Sequence, residues 1–380
     1  MTKSEAVIVG AGAAGLAAGG ELRRVGVSSV VLERGEGIGT SWRGRYDRLR
    51  LNTCRWTSAL PRSRYPRAAG LFPSRDEMVS YLEEYARRNG IDVRLGTRVE
   101  SIESRDGRWS LRTSAGEYEA TQVVIATGHQ HTPQIPRWPG REMYGGRLLH
   151  AAEYRRPAEF QGTDVLVVGP GCSGMEIAHD IATGGGGQVW ISVRTQPNIM
   201  LRQSGGLPGD LPARALLRLP TRMADRQAKL VQRLTVGDLS RWGLVPPDEG
   251  LFSRHHREGK APAIVDKEVI AAIKKGRIEV VAAVASLDQT GARLTDGTRV
   301  EPGAIIAATG YGSGLQAIVG HLGVLDERGF PRAHGGPAAA PGLRFIGYRP
   351  APGQIGDMGR EARRAARAIK SELTSPAVLA

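Results

Sequence analysis

Cysteine is almost missing from this 380-residue chain: Cys54 and Cys172 are the only two, and no C-x-x-C pair exists. Two cysteines cannot build a disulfide framework, and without a vicinal pair, dithiol redox chemistry of the thioredoxin-reductase kind is excluded. Lysine is scarce too. Seven of the 52 basic residues are lysines and 45 are arginines, spread along the chain with no run longer than two. The net charge of +14 therefore lacks the basic block interleaved with aromatics that marks a nucleic-acid surface. It reads as a coding bias that adds some steering of small anions. No apolar run reaches the roughly 18 residues of a membrane span, and no leader-like n-region or cleavage site opens the chain. A soluble cytoplasmic protein is the expectation. Also missing are paired carboxylates, a Ser-His-Asp set and any metal-ligand cluster; His255-His256 reads as a surface pair.

What the chain has in excess is glycine, 51 residues without a G-X-Y period. Residues 6–9 form a short β-prone run that leads into Gly10-Ala11-Gly12-Ala13-Ala14-Gly15. Residues 16–24 are helix-compatible and 27–32 read as the next strand. This is strand-turn-helix-strand with G-x-G-x-x-G at the turn. The first glycine makes the turn, the second admits a pyrophosphate, and the third lets helix and strand pack closely. The helix N-terminus then offers N–H groups to the diphosphate. Glu33 closes the second strand 18 residues after Gly15, where a carboxylate accepts from a ribose diol.

The pattern recurs. Residues 165–168 lead into Gly169-Pro170-Gly171-Cys172-Ser173-Gly174, residues 175–181 read as helix, and 189–193 as strand. This strand closes on Arg194, and a guanidinium pairs with a 2′-phosphate that a carboxylate would repel. The first site suits FAD and the second NADPH. Two further buried-type strands, 123–126 and 305–308, run into Thr127-Gly128 and Thr309-Gly310, where the backbone turns beside a bound dinucleotide. Residues 343–346 read as one more strand, and 360–373 as a basic amphipathic helix packed on the sheet.

The fold class is therefore α/β, with two Rossmann-like dinucleotide-binding domains and the NADPH domain inserted into a discontinuous FAD domain. The expected division is 1–155 and 313–380 for FAD and 156–312 for NADPH. Residues 197–262 carry Pro197, Pro208, Pro212, Pro220, Pro246 and Pro247 around short helical pieces such as 223–234. They read as a lid over the substrate or as a surface excursion.

Tyr144-Gly145-Gly146-Arg147-Leu148-Leu149-His150-Ala151-Ala152-Glu153-Tyr154 resembles the F-x-G-x-x-x-H-x-x-x-[FY] fingerprint of flavin-containing monooxygenases. With both glycine motifs and the Ala-Thr-Gly pair, the resemblance spans essentially the whole chain. It is closest to the short, YUCCA-type members, whose Tyr46-Asp47-Arg48-Leu49 and Gly174-Met175-Glu176 stretches are similar. Baeyer–Villiger enzymes carry Trp followed by Pro or Asp at the end of the fingerprint, and Tyr154-Arg155 departs from that.

The resemblance implies that NADPH delivers hydride to the flavin, which captures O2 as a C4a-(hydro)peroxyflavin. One oxygen atom then passes to a small organic substrate, by N- or S-oxygenation or by oxidative decarboxylation of a 2-oxo acid. The cofactor carries that chemistry and the protein supplies orientation, electrostatics and exclusion of water. Asn52 matches a family asparagine beside the flavin, the one catalytic residue expected, with a capping or turn role as its alternative. Trp42 in Gly39-Thr40-Ser41-Trp42 matches a tryptophan near the flavin, or is a core aromatic. His150 reads as a hydrogen-bonding strut between domains, and Arg202 as a partner of a cofactor phosphate or a substrate carboxylate.

Cofactor contact is further expected from Ala14, Arg34, Thr40, Leu51, Val99 and Ala126. Ser173, Thr195, Thr309, Gly310 and Gln354 complete the set. The expected partners are a substrate and O2, with no nucleic acid, no metal and no membrane, and with a homodimer left open. The rival readings are a flavin-dependent NADPH oxidase or reductase, a Baeyer–Villiger enzyme, and a redox-silent dinucleotide-binding regulator.

Overall fold

Residues 6–9 are buried to the last atom or nearly so, which marks a central strand covered on both faces. In the computed structural model, which describes residues 2–259, 261–348 and 353–375, they end β1 (Thr2–Val9). Along the chain follow α1 (Ala13–Arg24), β2 (Ser29–Leu32), α2 (Thr40–Arg43), α3 (Arg75–Arg88), β3 (Asp92–Arg94), β4 (Val99–Arg105), β5 (Arg108–Thr113) and β6 (Gly116–Ile125). Next are β7 (Arg147–His150), β8 (Val165–Val168), α4 (Cys172–Thr183), β9 (Val189–Ser192), α5 (Asp210–Leu216), α6 (Thr221–Thr235) and α7 (Leu251–Glu258). The chain closes with α8 (Lys267–Lys274), β10 (Glu279–Val281), β11 (Ala304–Ala307), β12 (Ala338–Ala340), β13 (Leu343–Phe345) and α9 (Gln354–Thr374).

The chain folds as two compact units. The first holds the residues up to Gly44, Cys54–Thr132 and those from Tyr311 onward; the second holds Arg45–Thr53 and Pro133–Gly310. In the first, the sheet order is β12-β13-β6-β1-β2-β3, parallel from β13 to β3. Ten-residue β6 serves twice: one edge pairs with β1 from Tyr118 to Ile125, while the other pairs through its first half with β5 of an antiparallel β4-β5 meander and through its last three residues with β13. Helix α1 is rich in alanine and glycine, so α9 packs close along it through Ala362, Ala365, Ala366 and Ile369. Helix α3 opens on a capping box, with Ser74 Oγ accepting from the Glu77 N–H and Glu77 accepting from the Ser74 N–H.

In the second unit the sheet is all parallel, ordered β10-β9-β8-β11-β7. The two sheets repeat one plan. The glycine strand (β1 or β8) lies between the strand that follows its helix (β2 or β9) and the strand that runs into Ala-Thr-Gly (β6 or β11). Both units are thus α/β layers of Rossmann type.

Three helices start earlier than periodicity indicates. Helix α1 opens at Ala13 and α4 at Cys172, because Gly12 and Gly171 are the N-caps and the third glycine already sits in the first turn. Helix α9 opens at Gln354, behind Gly353 at φ 74°, which brings Gln354 onto the helix.

Candidate dinucleotide sites

The glycines of the two motifs divide into the same three roles. Gly10 (φ 105°) and Gly169 (φ 115°) hold left-handed backbone at the strand ends. A Cβ on Gly10 would stand 2.8 Å from the Ala126 carbonyl oxygen, and one on Gly169 2.6 Å from that of Ala308. Gly15 and Gly174 press their helix against the turn, where a Cβ would overlap the carbonyl oxygen of Gly10 or Gly169. Gly12 and Gly171 differ from both, since a Cβ there meets nothing within 4 Å. The fold itself requires the first and third glycines, whereas the second faces open space at a helix N-terminus. A diphosphate fits such a cradle, with helix N–H groups to receive it.

The ends of the second strands diverge. Glu33 is buried, and its carboxylate accepts from Ala11 N–H (2.8 Å) and Gly35 N–H (2.9 Å), which ties it to the glycine turn. A carboxylate has about four acceptor positions, so capacity remains for a diol. Arg194, with Thr195 next to it, is exposed just past β9, and among the described residues its guanidinium has no ion-pair partner.

Other expected contact residues lie in the first unit. Ala14 lies in the first turn of α1, and Ala126 N–H donates to Val9 (2.9 Å). Thr40 starts α2 and donates to Gly37 O (2.8 Å); Trp42 is half-buried in the same turn. Val99 is buried at the head of β4, within the hydrophobic core. Arg34 donates to His131 Nε2 (2.7 Å), which leaves His131 protonated on Nδ1 toward Thr132 Oγ (3.1 Å). Burial, with Arg34 alongside, holds the His131 pKa down. Gln354 pairs its amide with His129 Nδ1 (3.2 Å).

In the second unit, Thr309 donates to the Gln134 carbonyl, and Gly310 turns at φ 91°. His150 is 1% exposed. Its Nδ1 accepts from Ala152 N–H (3.0 Å), so Nε2 carries the proton and donates to the Gly310 carbonyl (3.0 Å). Burial lowers its pKa. The expected strut exists, but it does not join domains: both ends lie in the second unit, where it pins β7 to the Ala-Thr-Gly turn.

Asn52, next to buried Leu51, sits at the rim of a polar network in the second unit. Its Oδ1 accepts from Arg202 Nη2 (3.4 Å), and its side chain also hydrogen-bonds the Cys172 thiol. Arg202 is buried; it pairs with Glu176, and through Nη1 with Asp266 (3.1 Å). The Tyr46 hydroxyl donates to the other Glu176 oxygen, with Ser173 alongside. Burial pushes the Tyr46 phenol and the Cys172 thiol up. Two carboxylates already neutralise Arg202, so the expected partnership with a phosphate or a substrate carboxylate gives way to an internal ion pair. In sequence only its apolar flank, Ile199-Met200-Leu201, hints at burial. Cys54 and Cys172 are not disulfide-bonded.

Two diphosphate cradles on doubly wound sheets define a pyridine-nucleotide-linked flavoprotein architecture. Residues 7–200 match the family described as pyridine nucleotide-disulphide oxidoreductase. The chain is 37% identical over 328 residues, 85% of its length and 80% of the relative's, to the indole-3-pyruvate monooxygenase YUCCA1 of Oryza sativa subsp. japonica. A mutant flavin monooxygenase from Stenotrophomonas maltophilia superposes with a TM-score of 0.77 at 25% identity, covering 98% of this chain and 100% of that one. The OTEMO complex with FAD and NADP shares the fold, with a TM-score of 0.73 at 17% identity over 97% of this chain and 84% of that one. The chain belongs to the flavin-containing monooxygenase family, and is a flavin-dependent monooxygenase.

Proposed function

We propose that the protein uses FAD in the first unit and NADPH in the second to insert one atom of O2 into a small organic substrate. The observation that carries this reading is the pair of matching cradles with opposite strand ends, Glu33 held by backbone N–H groups and Arg194 without an ion-pair partner among the described residues. FAD, when bound, supplies the electron transfer and the reaction with O2. The chain's own residues receive the two diphosphates at Gly12 and Gly171, and Glu33 takes the unphosphorylated ribose. Arg194, with Thr195, takes the 2′-phosphate. Arg34, Thr40, Trp42, Leu51, Val99, Ala126 and Gln354 are assigned to FAD, and Ser173, Thr309 and Gly310 to NADPH.

The YUCCA1 relative's name supports a 2-oxo acid substrate. For indole-3-pyruvate the balance is 2-oxo acid, O2, NADPH and a proton giving the shortened carboxylic acid, CO2, water and NADP+. A second reading, N- or S-oxygenation, is favoured by Asn52. The family resemblance gives it an amide beside the flavin, and an amide both donates and accepts.

Turnover under 18O2 tests both. Indole-3-pyruvate should yield indole-3-acetate carrying one labelled atom, with NADPH and O2 consumed one to one. Labelled sulfoxide or N-oxide from sulfides and amines, with no acid formed, selects the second reading. NADPH oxidation with every substrate returned unlabelled sinks both in favour of an oxidase.

A further inference from the structure

Among the described residues, nine of the twelve large hydrophobic side chains left exposed lie between Leu207 and Val245. Helix α6 carries the longest stretch of them. At 3.6 residues per turn its side chains sort into three strips. Ala224, Ala228, Gln232 and Thr235 form the least exposed strip, and the helix packs against α5 and α7. Asp225, on the same side, caps α7 by accepting from Phe252 N–H (2.6 Å) and the Ser253 hydroxyl (2.5 Å). Opposite them Met223, Leu230 and Leu234 stand 55%, 50% and 77% exposed, a stripe at i, i+7 and i+11. Arg222, Arg226, Lys229 and Arg233 run beside that stripe at i, i+4, i+7 and i+11, all exposed.

Among the described residues none of these four cations forms a salt bridge. The one acid on the helix, Asp225, is spent on α7. Asp238, beyond the helix, accepts from the Ser240 N–H and hydroxyl. Leu217 and Leu219, each 39% exposed, extend the apolar stripe before the helix, with Arg214 and Arg218 interspersed.

We propose that α6 is a docking surface for an anionic phospholipid bilayer. It lies in the headgroup layer, with Met223, Leu230 and Leu234 inserted and the four cations on lipid phosphates and carboxylates. An exposed apolar stripe flanked by unpaired basic residues is the pattern of a helix that lies in the interface plane, and an anionic leaflet supplies the missing counter-charge. A second copy of the chain fits less well, because a two-fold contact presents the same patch from both sides and brings like charges together. The proposal departs from the expectation of no membrane partner. It needs no spanning segment, and among the described residues no helix is long and apolar enough to cross a membrane.

Co-sedimentation of the holoenzyme with vesicles tests it. Vesicles of phosphatidylcholine with about one-third phosphatidylserine should pellet the protein at low salt, and pure phosphatidylcholine vesicles should not. Lys229→Gln with Arg233→Gln should weaken binding roughly 25-fold, from about fivefold per basic residue. Leu230→Ser with Leu234→Ser should weaken it at least tenfold. Both pairs should keep the parent's thermal midpoint, because the altered side chains are exposed. Raising the salt severalfold should release the parent protein, a check that needs no variant. The proposal is overturned if the parent stays in the supernatant with anionic vesicles, or if neither pair changes its partition. It is equally overturned if the parent is a lipid-free dimer that the leucine pair converts to monomer, which would assign the face to a second copy.

Discussion

Arg202 and Glu176 form an ion pair whose side chains keep 5% and 12% of their exposure, and Tyr46 occupies the carboxylate oxygen that Arg202 leaves open. Removing the cation leaves the largely buried Glu176 carboxylate without its counter-charge, and the more exposed Asp266 loses the same guanidinium. Arg202→Ala should therefore destabilise the protein by about 3–5 kcal/mol, measured by urea unfolding. A loss under about 1 kcal/mol, the range of surface pairs, would show that the pocket is wetter than its burial implies.

Gly12 and Gly15 should respond in opposite ways to one added methyl group. Gly15→Ala drives a Cβ into the Gly10 carbonyl and should lower stability by about 1–3 kcal/mol, as overpacking does. Gly12→Ala meets open space, so stability should stay within about 1 kcal/mol of the parent. Flavin retention should fall sharply in the Gly12 variant. If it binds FAD like the parent, the open space is not the diphosphate's.

Arg194→Ala should reduce kcat/KM for NADPH roughly 10- to 150-fold, the worth of a hydrogen bond to a charged group, and leave NADH nearly unchanged. Steady-state kinetics with both coenzymes decide it. Equal losses would remove the 2′-phosphate from the assignment.

Asn52→Ala should leave flavin binding intact while lowering product formed per NADPH oxidised. An unchanged yield would return Asn52 to a purely structural part in the Arg202 network.

His150 is neutral and buried, and its folded pKa lies below the ordinary value of about 6.5. The unfolded chain therefore binds more protons between the two values, and stability must rise with pH there. His131 and His179, also lowered by burial, act in the same direction. Stability should be full above about pH 6.5 and should decline as the pH falls toward the depressed values. Each histidine contributes a slope of at most about 1.4 kcal/mol per pH unit. Chemical unfolding of His150→Asn across that window should show a shallower slope than the parent, whatever its absolute stability. An unchanged slope would clear His150 of the effect.

Sequence showed what is local. The Gly10 and Gly169 motifs, the strands around them and the contrast of Glu33 with Arg194 all follow from short spacings and residue chemistry. Arg202 was noted, but nothing set it apart from the other arginines as an internal ion pair, because its partners Glu176 and Asp266 lie 26 and 64 positions away. His150 showed in the fingerprint, yet its partner Gly310 is 160 residues distant, and so its two ends could not be assigned to one unit. The exposed strip of α6 was equally hidden. Helical periodicity marks an amphipathic segment, but only the packed structure tells which strip the protein covers.

Of the cradle residues, Gly10, Gly15, Gly169 and Gly174 answer to the polypeptide and Glu33 is tied to its turn, whereas Arg194 makes no ion pair among the described residues. Folding and the proposed coenzyme choice are therefore separable traits in the second unit. On the proposed assignment, coenzyme preference there can drift, or be engineered, by exchanging Arg194 at the strand tip with the Gly169 turn left untouched, whereas exchanging Glu33 also removes two hydrogen bonds from its own turn.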